Sequence, residues 1–308
     1  MRFLAAAIAV TGVVHQAAAW GTVGHQTVAY LAFKFLSSDT TQYLENILTE
    51  EIGDAATWAD SVRNSRPHTS SWHFLDAQDN PPQSCRVHYP DDCTDQGSDG
   101  CIVSAINNQT ALFMSLDSSD QTREEALKFV MHFLGDIHQP LHVEGSYRGG
   151  NELHVCFVHA CARNNLHSVW DKDIPHKIVG LHSSPKPAQE KDAAKRWADS
   201  LHSEAMKAAG GSVNIKAECS NVANPDSCSL QWAKEANAYV CQYVMKPGID
   251  WLQSNDLSLE YYDGAKPIVE KLIGQAGLRL AGWLEAMVAG SQSAMVDDEQ
   301  RFLGQWEL

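Results

Sequence analysis

The sequence predicts an all-α, mainly helical single domain with one small β-hairpin near 151–162. Three observations carry that expectation. Apolar residues recur at helical spacing through the long segments, most clearly in Lys128–His142, KFVMHFLGDIHQPLH. There Val130, Met131, Phe133, Leu134 and Ile137 supply a buried helix that Pro140 ends. Strand-like alternation is confined to Glu152–Val158, where Cys156 and Cys161 bracket FVHA and close a hairpin with their own disulfide. No internal repeat, heptad run or low-complexity linker divides the 308 residues, a length that buries one large core or two small ones.

Taken in order, Met1–Ala19 reads as a secretory signal: Arg2, an apolar run, then Ala17-Ala18-Ala19 as a small-residue cleavage site. The mature chain is expected to start at Trp20, to be secreted and soluble, and to hold its functional domain in 20–290, with 291–308 as a C-terminal tail. No apolar run is long enough to cross a membrane. Val28, Leu31, Ala32 and Phe35 mark a first helix with His25 near its start. Asp39-Thr40 looks like an N-cap for TQYLENILTEE, and Gly53-Asp54 opens AATWADSVRN, which carries Asp60 and Arg63. Ser71–Asp76 reads as irregular, and 85–101 as a loop stapled by Cys85, Cys93 and Cys101. Ile102, Ala105, Ile106, Gln109 and Phe113 restore helical spacing, and Asn108 heads the one glycosylation sequon, expected at the surface. Further helical patterns occupy 187–209, 229–246 and 265–289.

Charged residues are 20% and hydrophobic ones 44%, ordinary for a globular protein. A net charge of −15 excludes a nucleic-acid binder that coats phosphates with Lys and Arg, but not one in which metal ions supply local positive charge. The eight cysteines, all after residue 19, fit an oxidising compartment and up to four disulfides. Zinc ligation by cysteine is the weaker reading, since no Cys-x-x-Cys pair occurs.

The chemistry-bearing residues are threaded through apolar sequence. His132 and Asp136, four apart, share one helix face, and no Lys or Arg lies between Phe129 and His142. A carboxylate in such surroundings is costly without a positive partner, and a bound cation supplies one. Asn165–Asp171 repeats the His-x-x-x-Asp spacing with His167 and Asp171. Adding Trp20, His25, Asp60, His73 and His142 gives five histidines and three carboxylates, too many for one metal and suited to two or three.

These motifs, WGTVGHQTVAYLA, ATWADSVR, WHFLDAQDNPPQSC, KFVMHFLGDIHQPLH, GGN, NLHSVWD, WAKEANAYVC and GLRLAGWLE, run in order through nearly the whole mature chain. Together they resemble the secreted, zinc-dependent, single-strand-specific nucleases and 3′-nucleotidases of fungi and plants, whose fold is shared with zinc-dependent phospholipase C. The resemblance implies three zinc ions per chain. One is held by Asp60, His73, His132 and Asp136. Its neighbour is held by the Trp20 amine and carbonyl, His25 and the bridging Asp136, and the third by His142, His167 and Asp171. Arg63 matches a cation beside the scissile phosphate, Phe74 and Asp76 match residues that stack on and hydrogen-bond a base, and Asn151 of GGN is a further substrate contact. The implied reaction is attack of a zinc-bridging hydroxide on phosphorus, cleaving P–O3′ in single-stranded DNA, RNA or 3′-nucleotides and leaving 5′-phosphate ends. A monomer is expected. The resemblance also pairs Cys85 with Cys241 and Cys93 with Cys101. Cys156/Cys161 and Cys219/Cys228 go beyond it and read as local loop staples. Two other functions stand beside this one: phospholipid hydrolysis on the same fold, and a secreted binding protein with structural zinc. His138, His154, His159 and His176 are read as structural or solvated.

Overall fold

The computed structural model describes residues 20–94, 100–162, 164–182, 184–215 and 218–304, so the expected signal segment lies outside the described residues. Helix α1 (Gly21–Phe33) is buried from Val23 to Ala32 and forms the axis of the domain. Its apolar side chains surround the whole circumference, as a central helix requires. Around it pack α3 (Ile52–Val62), α6 (Asp120–Asp136), α9 (Pro187–Ala208) and α12 (Glu260–Gly304). Helix α2 (Ser38–Ile47) closes one side, and α5 (Ile102–Met114) lies between α6 and α10 (Pro225–Tyr239). The short helices are α4 (Asp91–Thr94), α7 (Leu166–Ser168), α8 (Ile174–Ile178) and α11 (Ile249–Ser254). Trp20, Trp170, Trp232 and Trp283 are fully buried. Two of these indoles find partners: Trp170 Nε1 donates to Tyr261 Oη at 2.9 Å and Trp283 Nε1 to Thr110 Oγ1 at 3.1 Å.

Several boundaries differ from the sequence reading, each for a local reason. The N-cap of α2 is Ser37, whose hydroxyl accepts from the Thr40 N–H, rather than Asp39-Thr40. Helix α3 starts at Ile52 behind Glu51, whose carboxylate accepts from the Gly53 N–H. Helix α6 stops at Asp136, before Pro140, because the chain tightens there: the His138 N–H bonds the Gly135 carbonyl and the Gln139 N–H the Asp136 carbonyl. The Ser71–His73 stretch belongs to a 3₁₀ helix, Pro67–His73. The hairpin is reduced to isolated antiparallel bridges, Phe157 with Ala160 and His154 with Asn165, since Cys156 pairs instead with the loop at Asp256. The segment after residue 290 continues α12 through Gly304.

All eight cysteines pair: Cys85–Cys241, Cys93–Cys101, Cys156–Cys161 and Cys219–Cys228. Among the described residues no helix is long and apolar enough to cross a membrane. Asn108 is exposed on α5.

Candidate metal centre

Four elements bring the first cluster together: α1 supplies His25, α3 Asp60, the 3₁₀ turn His73, and α6 both His132 and Asp136. Asp136 is fully buried, with His25 Nε2 3.0 Å from Oδ1, and His73 Nδ1 and His132 Nε2 at 3.0 and 3.3 Å from Oδ2. Asp60 Oδ1 lies 3.7 Å from His132 Nε2 and 3.8 Å from His73 Nδ1, and Arg63 Nη1 is 3.3 Å from that same oxygen. His25, His132 and Asp136 therefore form one ligand group, and Asp60, His73 and His132 an adjoining one. Close approach of α1 and α6 depends on Gly135: a Cβ there would lie 2.7 Å from His25 Nδ1. Trp20 is buried at the start of α1 with a left-handed φ of 25°, and its carbonyl accepts from the Gly24 N–H.

The second cluster joins His142, from a 3₁₀ turn (Pro140–Val143), with His167 and Asp171 from α7 and the π-turn Val169–Asp173. His142 Nε2 and His167 Nε2 are 3.0 Å apart, and His167 Nε2 is 3.1 Å from Asp171 Oδ2. The clusters are close enough to sense one another. Asp136 acts electrostatically on both His142 and Asp171, and Arg63 acts on His167.

Ring orientation is set by backbone carbonyls. His132 Nδ1 faces the Ala56 carbonyl at 2.8 Å, His142 Nδ1 that of His73 at 2.7 Å, and His167 Nδ1 that of Gly149 at 2.6 Å. A carbonyl only accepts, so each Nδ1 carries the proton and each Nε2 turns a lone pair inward. Two such lone pairs at 3.0 Å, on His142 and His167, repel unless a cation or a shared proton lies between them. Gly149 is required at its position: its φ is +59°, and a Cβ would meet the Leu141 carbonyl at 2.5 Å.

Charge follows the same pattern. Burial alone would lower the His132 imidazole, but the Asp136 and Asp60 carboxylates outweigh it and push it up to about 9. Burial would raise Asp136, yet the three surrounding imidazoles hold it well below the usual carboxylate range. His142 falls to about 3 through burial and the neighbouring His167, while burial raises Asp171. The buried Asp60 and Asp136 carboxylates thus call for positive charge beside His132, which a bound cation would supply. His132 Nε2, Asp136 Oδ1 and Asp171 Oδ2 are buried without a hydrogen-bond partner. An inward-facing set of imidazole nitrogens and carboxylate oxygens fits zinc.

The chain leaving His73 is extended, with Phe74 at φ −153° and ψ 170°. Leu75 is buried and its N–H bonds the His142 carbonyl at 2.9 Å, so Phe74 and Asp76 share the opposite, half-exposed face beside the second cluster. Asn151 is half-buried and its amide donates to the Arg148 carbonyl at 2.9 Å, which shapes the turn. His138 accepts from Arg279 Nη1 at 2.9 Å, His176 bonds Glu190 at 3.0 Å, His159 lies 3.5 Å from Asp256, and His154 is exposed. Sequence reasoning missed the orienting carbonyls of Ala56, His73 and Gly149, because every residue carries a carbonyl. It also missed Gln139, whose amide donates to Asp171 Oδ1 at 2.5 Å. A further gathering, Asp79, Cys85 and Glu144, differs in kind. Its cysteine is disulfide-bonded, and Glu144 is pushed up to about 8 by burial, with the Asp79 charge adding to the rise.

The S1/P1 nuclease family model matches residues 20–289. Nuclease S1 of Aspergillus oryzae is 40% identical over 280 residues, covering 88% of this chain and 92% of that protein. Nuclease P1 of Penicillium citrinum is 36% identical over 285 residues, 89% of this chain and all of that protein. Endonuclease 5 of Arabidopsis thaliana is 29% identical over 311 residues, covering 92% and 95%. The matched span contains both ligand clusters and the half-exposed face beside them, and on these grounds the chain belongs to the S1/P1 nuclease family.

Proposed function

We propose that this chain is a secreted zinc-dependent endonuclease that cleaves single-stranded DNA and RNA to 5′-phosphate products and removes the phosphate of 3′-nucleotides. The observation that carries the metal reading is the His142–His167 pair: two inward nitrogens 3.0 Å apart, each ring's other nitrogen committed to a carbonyl. The nucleic-acid reading rests on family membership and on the Phe74–Asp76 face beside the clusters.

In this reading Asp60, His73, His132 and Asp136 hold one zinc. Trp20, once its amine is freed by cleavage after Ala19, joins His25 and Asp136 on a second, and His142, His167 and Asp171 hold a third. Bound zinc supplies Lewis acidity, acidifying a water and offsetting charge at phosphorus. The chain's own residues do the rest. Asp136 turns one oxygen toward His25 and the other toward His73 and His132, and so would serve both zincs of the pair. Arg63, positioned by Asp60, faces the phosphoryl oxygens and stabilises charge that grows there in the transition state. Phe74 stacks on a base and Asp76 reads its edge. A base has to leave its own stack to reach Phe74, which selects single strands. Asn151 completes the substrate contacts, and Asn108 heads an exposed sequon open to glycosylation.

Purified mature chain tests this directly. We expect three zinc equivalents, cleavage of single-stranded but not duplex DNA, and loss of activity in chelator that returns with zinc. Full activity after complete metal removal would overturn the reading.

A further inference from the structure

Gln139 sits between the two clusters, fully buried, with every polar atom engaged. Its N–H donates to the Asp136 carbonyl at 2.9 Å and its own carbonyl accepts from the His142 N–H at 2.9 Å. Its side-chain Oε1 accepts from the Leu141 N–H at 2.6 Å, and Nε2 donates to Asp171 Oδ1 at 2.5 Å. The backbone of one residue thus ties the main chain of Asp136 to that of His142, and its side chain reaches across to Asp171.

The direction of the amide is determined. The Leu141 N–H can only donate, so the oxygen must face it, and Nε2 is thereby aimed at Asp171. Asp171 is then held through Oδ1, while Oδ2 is left buried and unpartnered, 3.1 Å from His167 Nε2. We propose that Gln139 is a positioning residue for the third zinc: it presents Asp171 as a one-oxygen ligand through Oδ2 and sets how far that centre stands from the Asp136 pair. An amide suits the task because it fixes a carboxylate without neutralising it, whereas a Lys or Arg in its place would compete with the cation. The proposal rests on the zinc reading above.

Gln139→Glu separates the two roles of the side chain. It keeps an oxygen for the Leu141 N–H and loses the donor to Asp171, placing two carboxylates face to face. Gln139→Met serves as a second variant, removing both bonds at similar volume. The readouts are zinc per chain by mass spectrometry, the affinity of each zinc against a competing chelator, and thermal melting of the chelator-stripped protein. We expect one zinc to weaken by about 10–100-fold in both variants, the scale for removing a ligand's orienting partner, with the other two unchanged. Melting of the stripped protein should shift far less than zinc retention. Three zincs at unaltered affinity in either folded variant would overturn the proposal. So would equal weakening of all three, which marks a general structural role. A wild-type chain that binds no zinc would instead defeat the underlying reading, and shows itself before any variant is made.

Discussion

Gly135→Ala tests the geometry of the site most directly, because the same substitution has opposite expected effects at two places in the molecule. In a helix interior with free space, replacing Gly by Ala stabilises by about 1 kcal/mol. Gly274 in α12 meets that condition, since nothing lies within 4 Å of the point where its methyl group would stand. At Gly135 the new Cβ falls 2.7 Å from His25 Nδ1 and 2.9 Å from Cε1. The ring has little room to withdraw: it is buried and stacked on His132, centroids 3.8 Å apart and planes 12° from parallel. Restoring ordinary contact needs a shift of about 0.7 Å, well outside the roughly 0.2 Å tolerance of a metal–ligand distance. Overpacking costs about 1–3 kcal/mol, so after the helix gain the net destabilisation is about 1 kcal/mol. Scanning calorimetry on the metal-free variants, followed by zinc analysis of the loaded ones, reads both effects. Gly274→Ala should melt a few degrees higher and keep three zincs, and Gly135→Ala should melt lower and lose the zinc that involves His25. A Gly135→Ala protein that is more stable than wild type and fully loaded would refute the reasoning.

Four further outcomes follow from the same structure. Asp136→Asn should lose two zincs together, and loss of a single equivalent with activity retained would dismiss the bridge. Phe74→Ala should weaken dinucleotide binding by about 1–3 kcal/mol, the scale of one base–aromatic stack, so an unchanged KM marks Phe74 as packing only. Retaining Ala19 ahead of Trp20 replaces the proposed ligating amine with an amide. Nuclease activity should fall by orders of magnitude in a folded protein, and full activity with three zincs would remove Trp20 from the ligand set. Asp256 accepts from the Val158, His159 and Ser258 N–H groups, and although burial opposes it, these bonds bring its carboxyl down to about 2. Its contribution is therefore complete above the unfolded value near 3.9 and disappears as pH falls through about 2. The stability difference from Asp256→Asn, about 1–2 kcal/mol at pH 5 after solvent screening, should narrow from pH 4 to pH 2, whereas a gap independent of pH would count against it.

The clustered residues were legible because histidines and carboxylates stand out inside apolar helices. His132 and Asp136 share a face of α6, and the structure places them within 3.3 Å. The pairing of His25 with Asp136 was beyond helical spacing, since it depends on how α1 crosses α6 and on Gly135 allowing the approach. Helix interiors followed the apolar pattern, but their ends did not, because ends are decided by single hydrogen bonds such as Ser37 to the Thr40 N–H. The π-turn at Val169–Asp173 left no signature in sequence, though it sets the direction of Asp171. Cys156–Val158 alternates like a strand, yet its edge is occupied by the loop at Asp256 and Leu257, a long-range choice that no local pattern records.

The Cys85–Cys241 bond spans 156 positions of sequence. That covalent ring encloses His132, Asp136, His142, His167 and Asp171, and leaves His25, Asp60 and His73 outside it. Closing a ring of this size removes about 5 kcal/mol of chain entropy from the unfolded ensemble. The unfolded chain is therefore restricted to conformations in which five of the eight clustered side chains stay within one covalent ring. Recovery after demetallation is expected to be a short search while the bond is intact, and a long one once it is reduced. Durability of the fold would then be a property of this single crosslink as much as of any ion the clusters hold.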